Sequence, residues 1–207
     1  MIPSRIVRTV PTVTPPHVEA YWQTAVDLHP SWEHVTWRDP IPADQFPLTS
    51  PHWDACTSGA QLAGLIRLED LYWRGGHYLD SDMELYRPLD SLSPLRGYAA
   101  WEDARVVPDA VLGFEREHPA LRAMIGDAIA NLGRGAWESG PGVTTRHLSG
   151  RPDVLLLPPG AFFPYHYSIK RRFDPTRPDG RRRREQIPAD QPWAFGAHHW
   201  HHSWKGA

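Results

Sequence analysis

Two acidic residues, Asp80 and Asp82, stand one residue apart directly after a short apolar segment, HYL at residues 77–79. Side chains two residues apart in a strand point to the same side, so both carboxylates can face one point if the extended backbone continues through Ser81. Two carboxylates brought together repel each other unless a cation or a proton lies between them. Mg²⁺ and Mn²⁺ are typically held by one or two carboxylates together with water and substrate phosphates. The pair therefore predicts a divalent cation that neutralises a diphosphate, with a solvated Asp-Ser-Asp turn as the alternative.

A second group of possible metal ligands lies near residue 200. Four histidines surround a tryptophan there: His198, His199, His201 and His202 around Trp200. Imidazole is a frequent metal ligand at neutral pH. One imidazole beside the two acids would suit Mn²⁺ or Mg²⁺, whereas three histidines together would indicate zinc. A solvated histidine-rich tail and a purification tag are the alternatives, and the Trp and Ser interruptions argue against a tag.

Arginines are concentrated between residues 168 and 192, where Arg181 to Arg184 form an unbroken run. A run of like charge is usually solvated, and we predict a flexible basic insert or loop over residues 168–192. One alternative is a flap that grips phosphates or an acidic acceptor such as DNA. Another is a non-enzymatic nucleic-acid-binding protein that uses the arginine run.

The length and overall composition indicate one domain without an obvious anionic partner. The chain has 207 residues and a formal net charge of -2, so nothing global indicates nucleic acid or an anionic membrane. A single domain over residues 1–207 is expected at this length. The single Cys56 excludes an internal disulfide and suits an inert thiol in a reducing compartment. No window is apolar enough to span a bilayer and residues 1–13 lack the apolar stretch of a signal peptide, so we predict a cytoplasmic protein.

Alternating strand and helix patterns predict how these residues are positioned. We expect strands at residues 5–11, 34–39, 77–80 and 153–159, with one or two more within 104–114. We expect helices at residues 16–28, 58–74 and 118–133. Ser58 and Gln61 predict a capping box at the start of the second helix, and Gly75 and Gly76 predict its end. Alternation of this kind indicates a mostly parallel sheet, with ligands beyond the carboxyl ends of its strands.

Several motifs in order resemble glycosyltransferase family 32, the DXD-containing sugar transferases. The strongest match runs from residue 58 to 90, SGAQLAGLIRLEDLYWRGGHYLDSDMELYRPLD. Five further segments resemble family motifs: IPSRIV, HPSWEHVTWRD, RVVPDAVLGFEREHPAL, the loop ESGPGVTT and the terminal HHWHHSW. The likeness covers most of the chain except the arginine-rich segment, and the helix–GG–strand–DxD unit together with the terminal motif is more specific than either alone.

The resemblance implies a GT-A fold, which is an α/β fold with a mostly parallel central sheet flanked by helices. It implies a nucleotide-sugar donor, UDP-linked, a Mn²⁺ or Mg²⁺ ion and retention of the anomeric configuration. The acceptor stays open among a glycan, a small molecule, a protein and modified DNA. A metal-dependent hydrolase of nucleotide sugars or other phosphoesters is the alternative enzyme, because the same ligands could present water.

Carried over by position, the resemblance assigns roles around the metal. Asp80 would contact the metal or the donor ribose, and Asp82 would bind the metal directly. His198, the first histidine of the terminal motif, would complete the protein ligands. Ser203 and Trp204 would close over the diphosphate and the sugar.

Other positions are assigned to the donor and to catalysis. The expected donor-binding residues are Thr9 and Val10 at the base, Arg67 at the sugar, and Gly76. Asp109 and Glu102 are expected to orient the acceptor or to support positive charge on the sugar.

This sequence departs from the family pattern in two places. Ala63 and Gly64 stand where the family has a Ser-Asp pair, and Val7 stands where it often has histidine. Asp109 stands where the family often has asparagine. The acid lost at Gly64 puts the identity and strength of donor binding in question, whereas the metal ligands are all present.

Overall fold

Eight strands and six α-helices form the regular structure of residues 1–200, which a computed structural model describes. The strands are β1 Arg5–Val10, β2 Glu33–Arg38, β3 Gly76–Leu79, β4 Met83–Leu85, β5 Gly97–Ala100, β6 Val111–Phe114, β7 Leu155–Leu157 and β8 Gly196–His198. The helices are α1 Pro16–Leu28, α2 Gly59–Arg74, α3 Pro119–Ala130, α4 Ala136–Ser139, α5 Pro141–Leu148 and α6 Pro178–Asp190. None of the helices in this part of the chain is long and apolar enough to cross a membrane.

Six of the strands form one sheet in the order β2-β1-β3-β6-β5-β7, and β4 pairs with β8 in a separate antiparallel ribbon. The β2–β1, β1–β3 and β5–β7 pairs are parallel, whereas β6 is antiparallel to both of its neighbours. Helices flank this sheet, so the predicted α/β fold with a mostly parallel central sheet is confirmed. Strands β1, β3, β5 and β7 all run in one direction, and their carboxyl ends lie at one edge.

Both faces of the sheet are buried, because successive residues of a strand point to opposite sides. Tyr78 and Leu112 belong to a cluster that also contains Leu65 and Leu68 of α2. Their neighbours in the strands, such as Leu79 and Val111, belong to a second cluster on the other face. A sheet covered on both faces needs nearly continuous apolar strands, and β6, with the sequence VLGF, has this character.

A buried ion pair joins α2 to β1. The Arg5 guanidinium donates to the two carboxylate oxygens of Asp70 at 2.6 and 2.9 Å, and Trp37 of β2 donates its indole N–H to the same carboxylate at 3.0 Å. Both charged side chains are almost fully buried. A bidentate pair of this kind fixes orientation as well as distance, so it sets how α2 lies on the sheet.

The start of α2 forms only half of the predicted capping box. The Ser58 hydroxyl accepts from the Gln61 N–H, as expected. The Gln61 side chain accepts from the Thr57 N–H at 2.7 Å and donates to the Leu132 carbonyl at 2.7 Å, instead of returning to Ser58. Gln61 therefore ties α2 to the turn that follows α3.

Of the one or two strands predicted within residues 104–114, one forms at Val111–Phe114, and the preceding residues are irregular because Pro108 has no N–H for a ladder. Another strand prediction needs correction. The predicted buried strand 153–159 is only Leu155–Leu157, and Leu155 is 46% exposed because β7 is at the edge of the sheet. Strand β5 was not predicted, since GYAA is short and rich in small residues.

Helices occupy two segments that were predicted as loops. Helix α5 begins at Pro141 within the ESGPGVTT segment, where proline suits the first turn of a helix. Within residues 168–192, the supposed loop, the chain forms a 3₁₀ turn at Tyr167–Phe173 and then helix α6. Arg184 of the arginine run is buried and donates to the Tyr21 hydroxyl of α1 and the Phe173 carbonyl, so this helix is held against the rest of the protein.

Replacing Gly76 with alanine should lower the free energy of unfolding by about 2–3 kcal/mol. Gly76 has φ of 114°, and a Cβ there would lie 2.8 Å from the Arg5 carbonyl oxygen. Gly126→Ala is the matched control, because nothing lies within 4 Å of its Cβ position in α3. That control should gain about 0.5–1 kcal/mol from helix propensity. Urea denaturation measures both, and equal stability of Gly76→Ala and the parent would contradict the strain argument.

Candidate functional site

The topology brings three acids to one edge of the sheet. Asp80 follows the carboxyl end of β3, and Glu102 follows that of β5. Strand β6 runs in the opposite direction, so its beginning lies at the same edge and Asp109 stands just before it. Parallel α/β sheets bind ligands at this edge.

Asp80, Asp82 and His198 converge on one point. Their ligand atoms all lie within 4.8 Å of one another. The His198 Nε2 atom lies 3.0 Å from Asp82 Oδ1 and 3.6 Å from Asp80 Oδ2. Strand β4 begins directly after the acids, and β8 pairs with it in the antiparallel direction. Because Met83 is opposite His198 in this pair, His198 lies beside the acids. The next residue, His199, donates its N–H to the Asp82 carbonyl at 3.0 Å, which closes the ribbon onto the acids.

The charge balance of this cluster favours a cation. Burial disfavours the imidazolium of His198, but the carboxylates of Asp82 and Asp80 outweigh burial and raise the pKa of His198 to about 10. The two carboxylates thus draw a positive charge onto the nearest group that can carry one. A divalent ion would satisfy the same demand and take the Nε2 lone pair in place of the proton.

The donor set fits Mn²⁺ or Mg²⁺ better than zinc. Two carboxylates and one imidazole make an oxygen-rich set that leaves positions for water and phosphate oxygens. His199 is turned away, since its Nε2 bonds with Glu84 Oε2 and its Nδ1 with the Tyr165 hydroxyl, both at 2.8 Å. Among residues 1–200, His198 is therefore the histidine of the terminal cluster that could hold a metal with the two acids. His201, His202, Ser203 and Trp204 lie outside the described residues.

Arg67 of α2 lies between two of the acids. Its Nη1 atom is 3.1 Å from Asp80 Oδ1 and 3.3 Å from Asp109 Oδ2. The guanidinium also covers the Tyr78 ring at 4.4 Å from the ring centre. Burial disfavours its charge, but the Asp109 and Asp80 carboxylates outweigh burial and raise the pKa of Arg67, so it stays protonated.

Asp109 and Glu102 are carboxyl groups whose pKa values are raised. Burial is the main cause for Asp109, and it outweighs the opposing effect of Arg67. Burial also raises the pKa of Glu102, against the effect of His166, whose Nε2 lies 3.2 Å from Glu102 Oε1. Raised carboxyl pKa values of this kind are frequent at functional sites.

Thr9 and Val10 do not line the cleft, although the resemblance placed them at the base of the donor. Val10 is fully buried and Thr9 is 2% exposed. The Tyr78 hydroxyl donates to Asp80 Oδ1 at 3.0 Å and lies 2.8 Å from the Thr9 hydroxyl, which therefore donates to Tyr78. Thr9 thus supports the orientation of Asp80 from behind.

Gly76 also lies away from the acids, at the first residue of β3, whereas Asp80 follows the last. Its positive φ and the close approach of the Arg5 carbonyl explain a glycine there. The expected donor contact at Gly76 is not supported by this position.

The acids and Arg67 line a cleft of about 880 Å³. Its wall also contains residues that were not predicted, among them Trp137 on α4, and His166 and Tyr167 after β7. The ESGPGVTT motif points to the neighbourhood of Trp137, but no local signal indicates His166. Trp137, His166 and Tyr167 are near the acids because of how the strands and helices are arranged in the fold.

Gly64, where this sequence departs from the family pattern, lines the same cleft. A Cβ at Gly64 would lie 3.8 Å from Asp109 Oδ2. The carboxyl of Asp109 therefore stands beside the place where the family pattern has a helix acid. Val7, the second departure, is fully buried in the core beneath α2.

Comparison with known proteins shows that the chain is similar to glycosyltransferases. Residues 15–96 match the family model "Glycosyltransferase sugar-binding region containing DXD motif". Over 107 residues the chain is 34% identical to inositol phosphoceramide mannosyltransferase 2 of Schizosaccharomyces pombe, covering 50% of this chain and 31% of the relative. The chain thus spans about a third of the length of the curated relatives it matches.

Solved glycosyltransferases share the fold. The PaToxG glycosyltransferase superimposes with a TM-score of 0.60 at 15% identity, over 90% of this chain and 75% of that one. The galactosyltransferase LgtC, in complex with donor and acceptor sugar analogues, superimposes with a TM-score of 0.52 at 12% identity, over 95% of this chain and 87% of that one.

These matches define a class: the chain has the GT-A glycosyltransferase fold. The predicted resemblance to the DXD-containing sugar transferases is confirmed over residues 15–96, and the similarity to glycosyltransferases agrees with the predicted class of enzyme.

Replacing Asp82 with asparagine should weaken Mn²⁺ binding more than about 100-fold, since even indirect partners of a metal site are typically worth 10–100-fold. Asp44→Asn, an exposed carboxylate on the short turn Ala43–Gln45, is the matched control and should bind Mn²⁺ as the parent does. Calorimetric titration with Mn²⁺ measures both. Equal affinity in the two variants would rule out the cluster as the metal site.

Proposed function

We propose that this chain is a metal-dependent, retaining glycosyltransferase that moves a sugar from a UDP-linked donor to an acceptor hydroxyl. The observation that carries the proposal is the Asp80–Asp82–His198 cluster at the carboxyl edge of a GT-A sheet. Such a cluster faces a cleft whose volume, about 880 Å³, is in the range of small-molecule sites.

The metal would be held by Asp82 and His198 directly and by Asp80. When bound, Mn²⁺ or Mg²⁺ neutralises charge on the diphosphate as it leaves the sugar. Asp80 is held in orientation by Tyr78 and Arg67, so it needs little rearrangement on binding. Ser203 and Trp204 would close over the diphosphate, as the resemblance implies.

Arg67 and Asp109 would form the sugar end of the donor site. The guanidinium of Arg67 offers hydrogen-bond donors to sugar hydroxyls beside Asp109. The buried carboxylate of Asp109, held by Arg67 at 3.3 Å, would support positive charge that develops on the sugar as the bond to the diphosphate breaks. Glu102 would accept a hydrogen bond from the acceptor hydroxyl and so orient it.

The acceptor is proposed to be a glycan or a glycoside. Inositol phosphoceramide mannosyltransferase 2 and, at 30% identity over 132 residues, lactosylceramide 4-alpha-galactosyltransferase of Rattus norvegicus are named for glycosyl transfer to ceramide derivatives. The reading of the arginine run as a DNA grip has less support, since Arg184 is buried against Tyr21. The cytoplasmic location and the single domain stay predictions.

Nucleotide-sugar turnover tests the proposal. A panel of UDP- and GDP-sugars is incubated with Mn²⁺, with and without simple glycosides, and nucleoside diphosphate release is measured. We expect metal-dependent release from a UDP-sugar that rises with acceptor and is abolished in Asp82→Asn but not in Asp44→Asn. Equal release with and without acceptor would favour the hydrolase, and proton NMR of the product would show whether the anomeric configuration is retained.

Replacing Asp109 with asparagine should lower kcat about 10- to 100-fold while donor affinity changes little, because the lost charge acts mainly as the bond breaks. Asp103→Asn offers a comparison from the same wall of the cleft, since Asp103 Oδ1 accepts from the backbone N–H groups of Arg105 and Val106. Steady-state kinetics and donor titration separate the two effects. An unchanged kcat in Asp109→Asn would remove this residue from the chemistry.

A further inference from the structure

Two large aromatic side chains line the cleft while remaining exposed. Trp137 is 54% exposed and Tyr167 is 52% exposed, and both belong to the wall that also contains Arg67 and the acids. Single exposed aromatics are ordinary on a protein surface. Two of them on one concave surface, together with polar groups, are typical of a ligand site.

Tyr167 lies with groups on the β5 and β7 side of the metal cluster, whereas Trp137 is on α4, which is hydrogen-bonded to α2 through Ser139. In the sheet, β6 separates β3 from β5, whereas β1 neighbours β3 on its other side. Glu102 follows β5, and His166 and Tyr167 come after β7 in the chain. The proposed donor takes its diphosphate to Asp80 and Asp82 and its sugar to Arg67 and Asp109. The part of the cleft wall that contains Glu102, Trp137 and Tyr167 is then left for a second ligand.

The backbone that presents Trp137 is firmly held. Helix α4 is a single turn in which the Ser139 hydroxyl donates to the Gly135 carbonyl at 3.1 Å. Gln61 of α2 donates to the same Ser139 hydroxyl at 3.2 Å. A ring on a fixed support loses little entropy when a ligand stacks against it.

A polar pair lies beside Tyr167. The Ser168 N–H donates to His166 Nδ1 at 3.3 Å, so in the neutral ring the proton is on Nε2. That Nε2–H donates toward Glu102 Oε1 at 3.2 Å. The pair fixes the orientation of the Glu102 carboxyl, which can accept a hydrogen bond from a ligand hydroxyl.

We propose that Trp137 and Tyr167, with Glu102 and His166, form the acceptor subsite and that its ligand is a pyranose ring. A pyranose has faces of C–H groups and a rim of hydroxyls. The C–H faces carry slight positive charge and suit the electron-rich face of an aromatic ring, while the rim suits the carboxyl and imidazole. This inference rests on the proposed function, because it divides the cleft between a donor and an acceptor.

Glycoside binding tests the inference directly. The probes are methyl α- and β-glycosides of glucose, galactose and mannose, added to the full chain with Mn²⁺ and UDP. Their affinities are measured by titration in saturation-transfer NMR. At least one glycoside should bind, and Trp137→Ala should weaken it about tenfold. Trp137→Phe, which keeps an aromatic face, should retain most of the affinity.

Trp193→Ala is the matched control, because Trp193 is 58% exposed but does not line the cleft. It should bind the glycosides as the parent does. Circular dichroism and thermal unfolding confirm that each variant is folded. In every sample, the affinity for UDP with Mn²⁺ is measured by calorimetry and should be the same in Trp137→Ala as in the parent.

Three results would overturn the inference while leaving the transferase intact: no glycoside binds, Trp137→Ala and Tyr167→Ala bind as the parent does, or Trp137→Ala loses UDP instead of the glycoside. The last result would indicate that the Trp137 ring contacts the base of the donor. Failure of UDP and the other nucleotides to bind the parent would instead count against the proposed function. The glycoside titrations in the absence of nucleotide would still decide whether Trp137 carries a sugar.

Discussion

Repulsion between the two carboxylates that follow β3 is the constraint on which the site depends. Asp80 and Asp82 face one point beside the largely buried His198, and negative charges so placed require positive partners. The protein supplies Arg67 from α2 on one side and the His198 imidazole from β8 on the other. Each partner comes from a different part of the chain, so the acids act as the point at which separate elements meet. The proposed cation would complete this balance of charge.

The direction of one strand decides which residues can join that point. If β6 were parallel to its neighbours, the residues before it would lie at the opposite edge of the sheet. Because β6 is antiparallel, Asp109 emerges beside Asp80 and can pair with Arg67. The guanidinium then bridges an acid of the proposed metal site and an acid of the proposed sugar site. The glycine at position 64 leaves the neighbouring space open, so the acid in this part of the cleft is Asp109, which precedes β6, and not a residue of α2.

Elements with strong local signals were predicted well, and those without them were not. Helix α2 has a cap at Ser58 and a glycine stop at Gly75, and β1 is a β-branched run between prolines, so local physics specifies both. Strand β5 is rich in small residues, and its extended form depends on pairing with β6 and β7. The sequence of helix α6 is typical of a solvated charged segment, but the orientation of the helix depends on the buried contact of Arg184 with Tyr21 of α1. Tertiary contacts decide whether and where such elements form, because they bury residues that the local sequence pattern does not mark as buried.

For the site, the sequence by itself determined the ligand types and their order. The spacing of Asp80 and Asp82, the helix–glycine–strand unit before them and the terminal histidines were enough to predict a metal cluster in a DXD sugar transferase. Only the tertiary structure decided that His198 faces the acids while His199 turns to Glu84, that Thr9 supports Tyr78 from behind, and that Trp137 and His166 border the same cleft. The reason is that side chains two residues apart are related by backbone geometry, whereas groups a hundred residues apart are related only by how strands and helices pack.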